Sequence, residues 1–169
     1  MTLALVVLIV FGTMIAEALR ASRNERAQRA RGGVEPDGDV YGWMQIVYPG
    51  AFLAMFAESA AGGGVHTGGM AIAGAVIFAG AKALKWWAIA TLGPCWTFRV
   101  IVVPGAPLVV RGPYRWIRHP NYVGVLGELA GVAMMVGAPI AGVSALVAFA
   151  GLLVKRIAVE EQLLGRPAR

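Results

Sequence analysis

The stretch TLALVVLIVFGTMIAEAL, residues 2–19, is followed at once by RASRNERAQRAR, residues 20–31. As a helix, the first run reaches ~27 Å, close to the ~30 Å hydrocarbon core of a bilayer. No basic residue precedes it and five arginines follow, so it reads as a retained anchor rather than a signal peptide, with its far end held on the basic side. Further apolar runs at 40–61, 69–84, 122–136 and 140–154 bring the count to five crossings. The last two runs are short for a bilayer and need helical extensions past their apolar boundaries. The tight turn Gly137-Ala138-Pro139 makes them an antiparallel hairpin with those extensions at its open end.

Composition agrees with an all-α polytopic membrane protein. Hydrophobic residues make up 58% of the 169 and charged ones 14%, against about 25% charged in an ordinary soluble domain. The chain reads as one membrane domain, residues 1–169, with N-terminal helices over 1–92 and a small cytoplasmic cofactor-binding segment plus helical hairpin over 93–169. One cysteine, Cys95, and two histidines, His66 and His119, exclude a disulfide framework and leave too few soft ligands for a zinc or iron-sulfur site, so no metal is expected. The net charge of +6 fits an anionic membrane surface better than a nucleic acid.

Alternating sides through five spans puts residues 20–39, 85–121 and 155–169 on one face, with Lys82 near enough to snorkel there. All 15 Lys and Arg then share that face, and the positive-inside rule makes it cytoplasmic. Gly69, Gly74 and Gly80, with Gly127 and Gly131 at a four-residue spacing, read as helix-packing surfaces. Three acids sit within or near apolar spans: Glu17, near a helix end where it can snorkel, Glu58, close to the external boundary, and Glu128, two turns into its span. An ionisable group at such depth is a functional candidate, and an ion-coupled transporter using Glu58 or Glu128 is the competing class.

The polar residues concentrate in 85–122, where Trp86, Trp87, Trp96, Tyr114, Trp116 and Tyr122 stand among Arg99, Arg111, Arg115, Arg118 and His119. An interfacial aromatic belt accounts for the composition but not for the order. Residues 97–103 and 108–110 flank the turn signal Pro104-Gly105-Ala106-Pro107 and predict a short β-hairpin over the membrane surface. Pro113 is placed to start a short helix and Pro120 to open the next, which leaves His119 in an extended joint. Arg156 and Glu160, four apart on one helix face, return beside that joint through the hairpin.

Arg111-Gly112-Pro113-Tyr114-Arg115-Trp116-Ile117-Arg118-His119-Pro120-Asn121-Tyr122-Val123-Gly124, then an apolar hairpin and Arg156-x-x-x-Glu160-Glu161-x-x-Leu164, resembles the isoprenylcysteine carboxyl methyltransferase family of integral-membrane methyltransferases. The resemblance covers 108–164, and residues 22–26 and 102–108 look like a bacterial branch, placing the chain in a bacterial plasma membrane. It implies S-adenosylmethionine as methyl donor, bound by Leu108, Val109, Tyr114, His119, Pro120, Asn121, Tyr122 and Glu160. Arg156 is implied as the catalytic residue that aligns the acceptor; Glu128, by its depth in its span rather than by the resemblance, is placed with it on the substrate side. No glycine-rich dinucleotide fingerprint competes with this reading. The implied partners are membrane lipids and a lipophilic or prenylated substrate whose terminal carboxylate is ionised at neutral pH. The Ala, Gly and Arg bias of a GC-rich bacterial gene makes a phenolic or pyrone lipid the alternative acceptor. A phenol, with an unperturbed pKa near 10, needs a base such as His119 or Glu128.

Overall fold

A computed structural model describes residues 2–36, 38–62 and 68–163. His66 and Leu164 lie outside these residues. The described chain is all-α: α1 (Leu3–Ala30), α2 (Tyr41–Ala61), α3 (Gly69–Leu92), α4 (Pro120–Val136) and α5 (Pro139–Leu163). Single 3-10 turns at Gly93–Cys95 and Gly112–Arg115 interrupt the long α3–α4 connection. Helices at Leu3–Ala30, Gly69–Cys95 and Pro139–Gln162 are long and apolar enough to cross a membrane, and α4 is a shorter apolar helix. Their outward faces are apolar: Leu8, Ile72, Val147 and Val154 are each about two-thirds or more exposed. In water such a surface would aggregate, whereas in a bilayer it meets lipid tails.

Local chemistry sets the helix ends. The Thr2 hydroxyl accepts from the Leu5 N–H and caps α1. Pro120 and Pro139 begin α4 and α5, where a missing N–H costs nothing. Gly137, at φ 68°, closes α4 in the left-handed conformation and turns the chain into α5, giving the expected hairpin. Opposite this turn, Glu58 accepts from the Ile140 and Ala141 N–H groups at 3.1 and 2.6 Å. Its carboxylate therefore caps α5 and favours the positive end of that helix dipole.

The tightest packing is α3 against α4. A Cβ on Gly131 would lie 2.6 Å from the Phe78 nitrogen, and one on Gly74 would lie 2.6 Å from the Gly131 oxygen. A Cβ on Gly124 or Gly127 would lie 2.9 Å from the Lys85 Cβ or 2.8 Å from the Ala81 Cβ, whereas Gly69 and Gly80 face open space and are not packing surfaces. Gly131→Ala is therefore expected to cost ~1–3 kcal/mol by forcing two backbones apart. Gly80→Ala should be neutral or stabilising by up to ~1 kcal/mol, because only helix propensity changes. Thermal unfolding in detergent checks both, and equal effects would contradict this interface.

The expected β-hairpin is absent among the described residues. Val102 instead exchanges two backbone hydrogen bonds with Val34, from the α1–α2 loop, at 2.9 and 3.0 Å. Val100 and Ile101 are both buried, so the segment does not alternate like a half-buried strand, and Pro107 on the returning arm has no N–H to donate. The basic C-terminal extension of α1 holds the preceding turn: Asn24 donates to the Gly93 and Trp96 carbonyls and Gln28 to that of Pro94. Arg99 donates to Glu35 at 2.7 Å. Burial would raise the Glu35 carboxyl, but bonds from Arg99 and Arg29 outweigh it and hold the group below the usual glutamate value.

Two further expectations fail inside the bundle. Lys82 does not snorkel to the surface, and Glu17 does not reach out from its helix end. Lys82 and Lys85, one turn apart on α3, form a buried cluster with Glu17 of α1 and Glu128 of α4. Lys82 lies 2.9 Å from Glu17 and 3.1 Å from Glu128, and Lys85 lies 2.6 and 3.3 Å from the same two. The Tyr48 hydroxyl of α2 donates to Glu128. Two cations and two anions neutralise one another at a depth where a lone charge would be prohibitive.

Candidate active site

The site grows from the joint before α4. His119, at φ −125° and ψ 63°, is held out of helical geometry by Pro120, whose ring is buried. Its imidazole stacks on the Tyr122 ring at 5.4 Å and 14°. The α4–α5 hairpin brings the end of α5 alongside. Tyr122 donates its hydroxyl proton to Glu160 at 2.9 Å and accepts from Arg156 Nε at 3.3 Å. Arg156 and Glu160 are thus bridged by Tyr122 rather than paired as a surface salt bridge. Arg156 Nη1 donates to both oxygens of Asp39, at 2.5 and 2.6 Å, and Nη2 donates to the Phe98 carbonyl. Asn121 accepts from the Trp96 indole N–H at 3.4 Å.

All of these groups except Asp39 and Pro120 wall a cavity of about 520 Å3, in the range of small-molecule sites. Leu108, Val109, Tyr114 and Asn121 line it together with His119, Tyr122, Arg156 and Glu160. Pro120 does not reach the cavity and acts by shaping the joint. Glu128 is not on the wall either: it sits in the buried cluster, whose Glu17, Tyr48 and Lys85 members do line the cavity. From α1 and α2 the lining mixes apolar Met14, Ala18, Met44 and Pro49 with polar Glu25 and Gln45.

His119 Nδ1 lies 3.5 Å from Glu160 and Nε2 lies 3.6 Å from Glu161. Glu160 holds the imidazole above the ordinary histidine value against burial, which pulls it down. Tyr114 is pushed up by burial and then by Glu160. A histidine raised in the folded state contributes stability that is full below its unfolded value of about 6.5 and is lost as pH climbs through the folded value. Thermal unfolding between pH 5 and 9 should show a decline above pH 6.5 that His119→Gln flattens, and an unchanged slope would deny the contact.

Asp39, Tyr48, Lys82 and Lys85 were not legible as site-related residues. Asp39 is one acid among several in a glycine-containing loop, and nothing local pairs it with Arg156, 117 positions away. The lysines did leave a signal: their i, i+3 spacing on a face of an apolar helix matches the two intramembrane acids in number.

The model of the isoprenylcysteine carboxyl methyltransferase family matches residues 72–166, more than half of the chain. The chain belongs to this family. Its membrane methyltransferase character accounts for an apolar helical fold that encloses a cavity with charged side chains in its lining. The match includes α3, so Lys82 and Lys85 fall within the family segment as well. The chain is also 30% identical over 149 residues to the uncharacterised protein YpbQ of Bacillus subtilis (strain 168), covering 88% of each chain. No solved structure matches it significantly.

Proposed function

We propose that the protein is an S-adenosylmethionine-dependent methyltransferase of a lipophilic acceptor, working at the cytoplasmic face of a five-span bacterial plasma-membrane protein. The observation that supports this best is one cavity lined both by Glu160, Tyr122, His119 and Tyr114 and by the apolar side chains Met14, Ala18, Met44 and Pro49 of α1 and α2. The residue types suit the donor. Glu160 pairs with its ammonium, the faces of Tyr114, Tyr122 and His119 suit its sulfonium and adenine, and Leu108 and Val109 supply apolar wall. His119 Nε2, buried without a hydrogen-bond partner among the described residues, leaves a polar position for a bound group.

Bound there, S-adenosylmethionine supplies a methyl group activated on a sulfonium. The chain's work is alignment and exclusion of water, since an in-line displacement gains most from position. Tyr122 ties Glu160 on the donor side to Arg156 on the acceptor side, so both partners are held by one hydroxyl. Met14, Ala18, Met44 and Pro49 offer a path for a lipid tail, and Glu128 supports that wall through Tyr48.

Calorimetry with S-adenosylhomocysteine tests the reading, and no binding at millimolar ligand overturns it in favour of a transporter. The orientation is tested by single cysteines placed, in a background without Cys95, at Arg115 and Gly62: labelling of residue 115 from outside, or of residue 62 from the cytoplasm, contradicts it. The resemblance implies a prenylcysteine carboxylate as acceptor. A phenolic or pyrone hydroxyl is the second reading, favoured by the pairing of Arg156 with Asp39. A carboxylate acceptor should give a rate flat from about pH 6 to 9 and a base-labile ester, whereas a hydroxyl acceptor should give a rising rate and a base-stable ether.

A further inference from the structure

On the outer side of the α4–α5 hairpin a second groove, of about 410 Å3, runs beside the larger cavity. Tyr122, Val123 and Leu126 of α4 face Ala150, Leu153 and Val154 of α5 across it. The spacing on each helix is that of one face, and Ala150, the smallest side chain of the six, leaves the space between them. Val123 is 48% exposed and Val154 70%, so the lips of the groove stand against lipid, while Leu153 is buried on its floor. From His119 to Leu126 α4 rises ~10 Å, about two-thirds of one leaflet's share of a ~30 Å hydrocarbon core.

The upper end of the groove is cationic. Arg118 lines it, and among the described residues its guanidinium spends one of five N–H groups, on Glu161 at 3.3 Å. With the side chain 47% exposed, the others are open to an outside partner. Arg115 and Lys155 are exposed at the same end, whereas Glu160 is half-buried and Glu161 buried, so the charge this rim presents is positive. Trp116, two residues before Arg118, is exposed and lies 6.0 Å from the exposed Trp87. Exposed tryptophans settle at headgroup level in a bilayer, which puts Arg118 level with lipid phosphates. Tail contact alone discriminates little, because every lipid offers the same hydrocarbon. The cation is what distinguishes one headgroup from another.

We propose that this groove binds one acyl chain of an anionic phospholipid, with the lipid phosphate on Arg118, and that the bound lipid buttresses the stack of His119 on Tyr122. Both rings line the groove on one side and the larger cavity on the other, so they form a partition between the two. An occupied groove takes from the rings the freedom to move outward, and a donor then meets them already in place. By linkage, the lipid tightens donor binding by the same factor by which the donor tightens lipid binding. The site stands on its own residues, and only its coupling to the donor rests on the methyltransferase reading.

The test is lipid retention, read by native mass spectrometry on protein released from nanodiscs of dioleoylphosphatidylglycerol and dioleoylphosphatidylcholine in equal parts. Wild type should keep a lipid with phosphatidylglycerol enriched about fivefold, the contribution of one basic residue near an anionic phosphate. Arg118→Gln should remove that enrichment, whereas Arg115→Gln, outside the groove, should leave most of it. Ala150→Phe, which fills the groove, should lose the retained lipid of either kind. Val147→Phe, at an exposed position of the same helix outside the groove, should keep it. Retention without headgroup preference means ordinary annular lipid and overturns the proposal, as does a preference that survives Arg118→Gln. A dimer that Ala150→Phe disperses overturns it too, since the groove then holds a second copy of the chain. S-adenosylhomocysteine should bind about fivefold tighter in phosphatidylglycerol than in phosphatidylcholine nanodiscs, and Ala150→Phe should erase the difference. Equal affinity in wild type removes the buttress. No binding in either lipid overturns the methyltransferase reading, and lipid retention still decides the site.

Discussion

Lys85→Met should destabilise the protein by ~3–5 kcal/mol, the cost of breaking a buried ion pair by removing one partner. Lys85 is 2% exposed and Glu17 and Glu128 each 1%, so neither acid has water to turn to. Lys82, 11% exposed, would remain as the single cation between two carboxylates. A surface pair would give at most ~1 kcal/mol, and burial is what separates the two outcomes. Adding Glu17→Gln to Lys85→Met restores neutrality and should recover part of the loss, a non-additivity that marks residues in one network. Thermal unfolding in detergent measures both. A Lys85→Met protein as stable as wild type would mean that the four charges do not meet.

Glu160→Gln should weaken S-adenosylhomocysteine binding by ~2 kcal/mol, about 30-fold, the lower end of the range for truncating one partner of a buried charged hydrogen bond. The lower end applies because the Glu160 side chain keeps 30% of its exposure, and water takes up part of the unpaired charge. Glutamine preserves shape and the bond from Tyr122 while removing the anion, so the loss reads electrostatics rather than packing. Glu161→Gln is the control. Its partner Arg118 is 47% exposed, so that pair contributes little, and its approach to His119 Nε2 at 3.6 Å is longer than a hydrogen bond, so affinity should stay within a few-fold. Equal effects of the two substitutions would remove Glu160 from the donor site.

The helices were legible because their causes are local: apolar runs of bilayer length, Pro120 and Pro139 at helix starts, and Gly137 at a turn that needs positive φ. The joint at His119 and the return of Arg156 and Glu160 beside it were equally legible, since a hairpin of known turn fixes which residues meet across it. Other features depended on contacts between segments far apart in the chain. Lys82 and Glu17 looked like snorkelling groups because each alone would seek water; only the approach of α1 to the α3–α4 pair, itself held close by Gly74 and Gly131, gave each a buried partner. The strand pattern at 97–103 failed for a related reason. A short strand takes whichever edge is offered, and here that edge is Val34 of the α1–α2 loop rather than residues 108–110. Asp39 is the extreme case. Its sequence neighbours say nothing, yet it is the carboxylate that buried Arg156 meets, because electrostatic pairing in a buried site depends on distance in space and not along the chain.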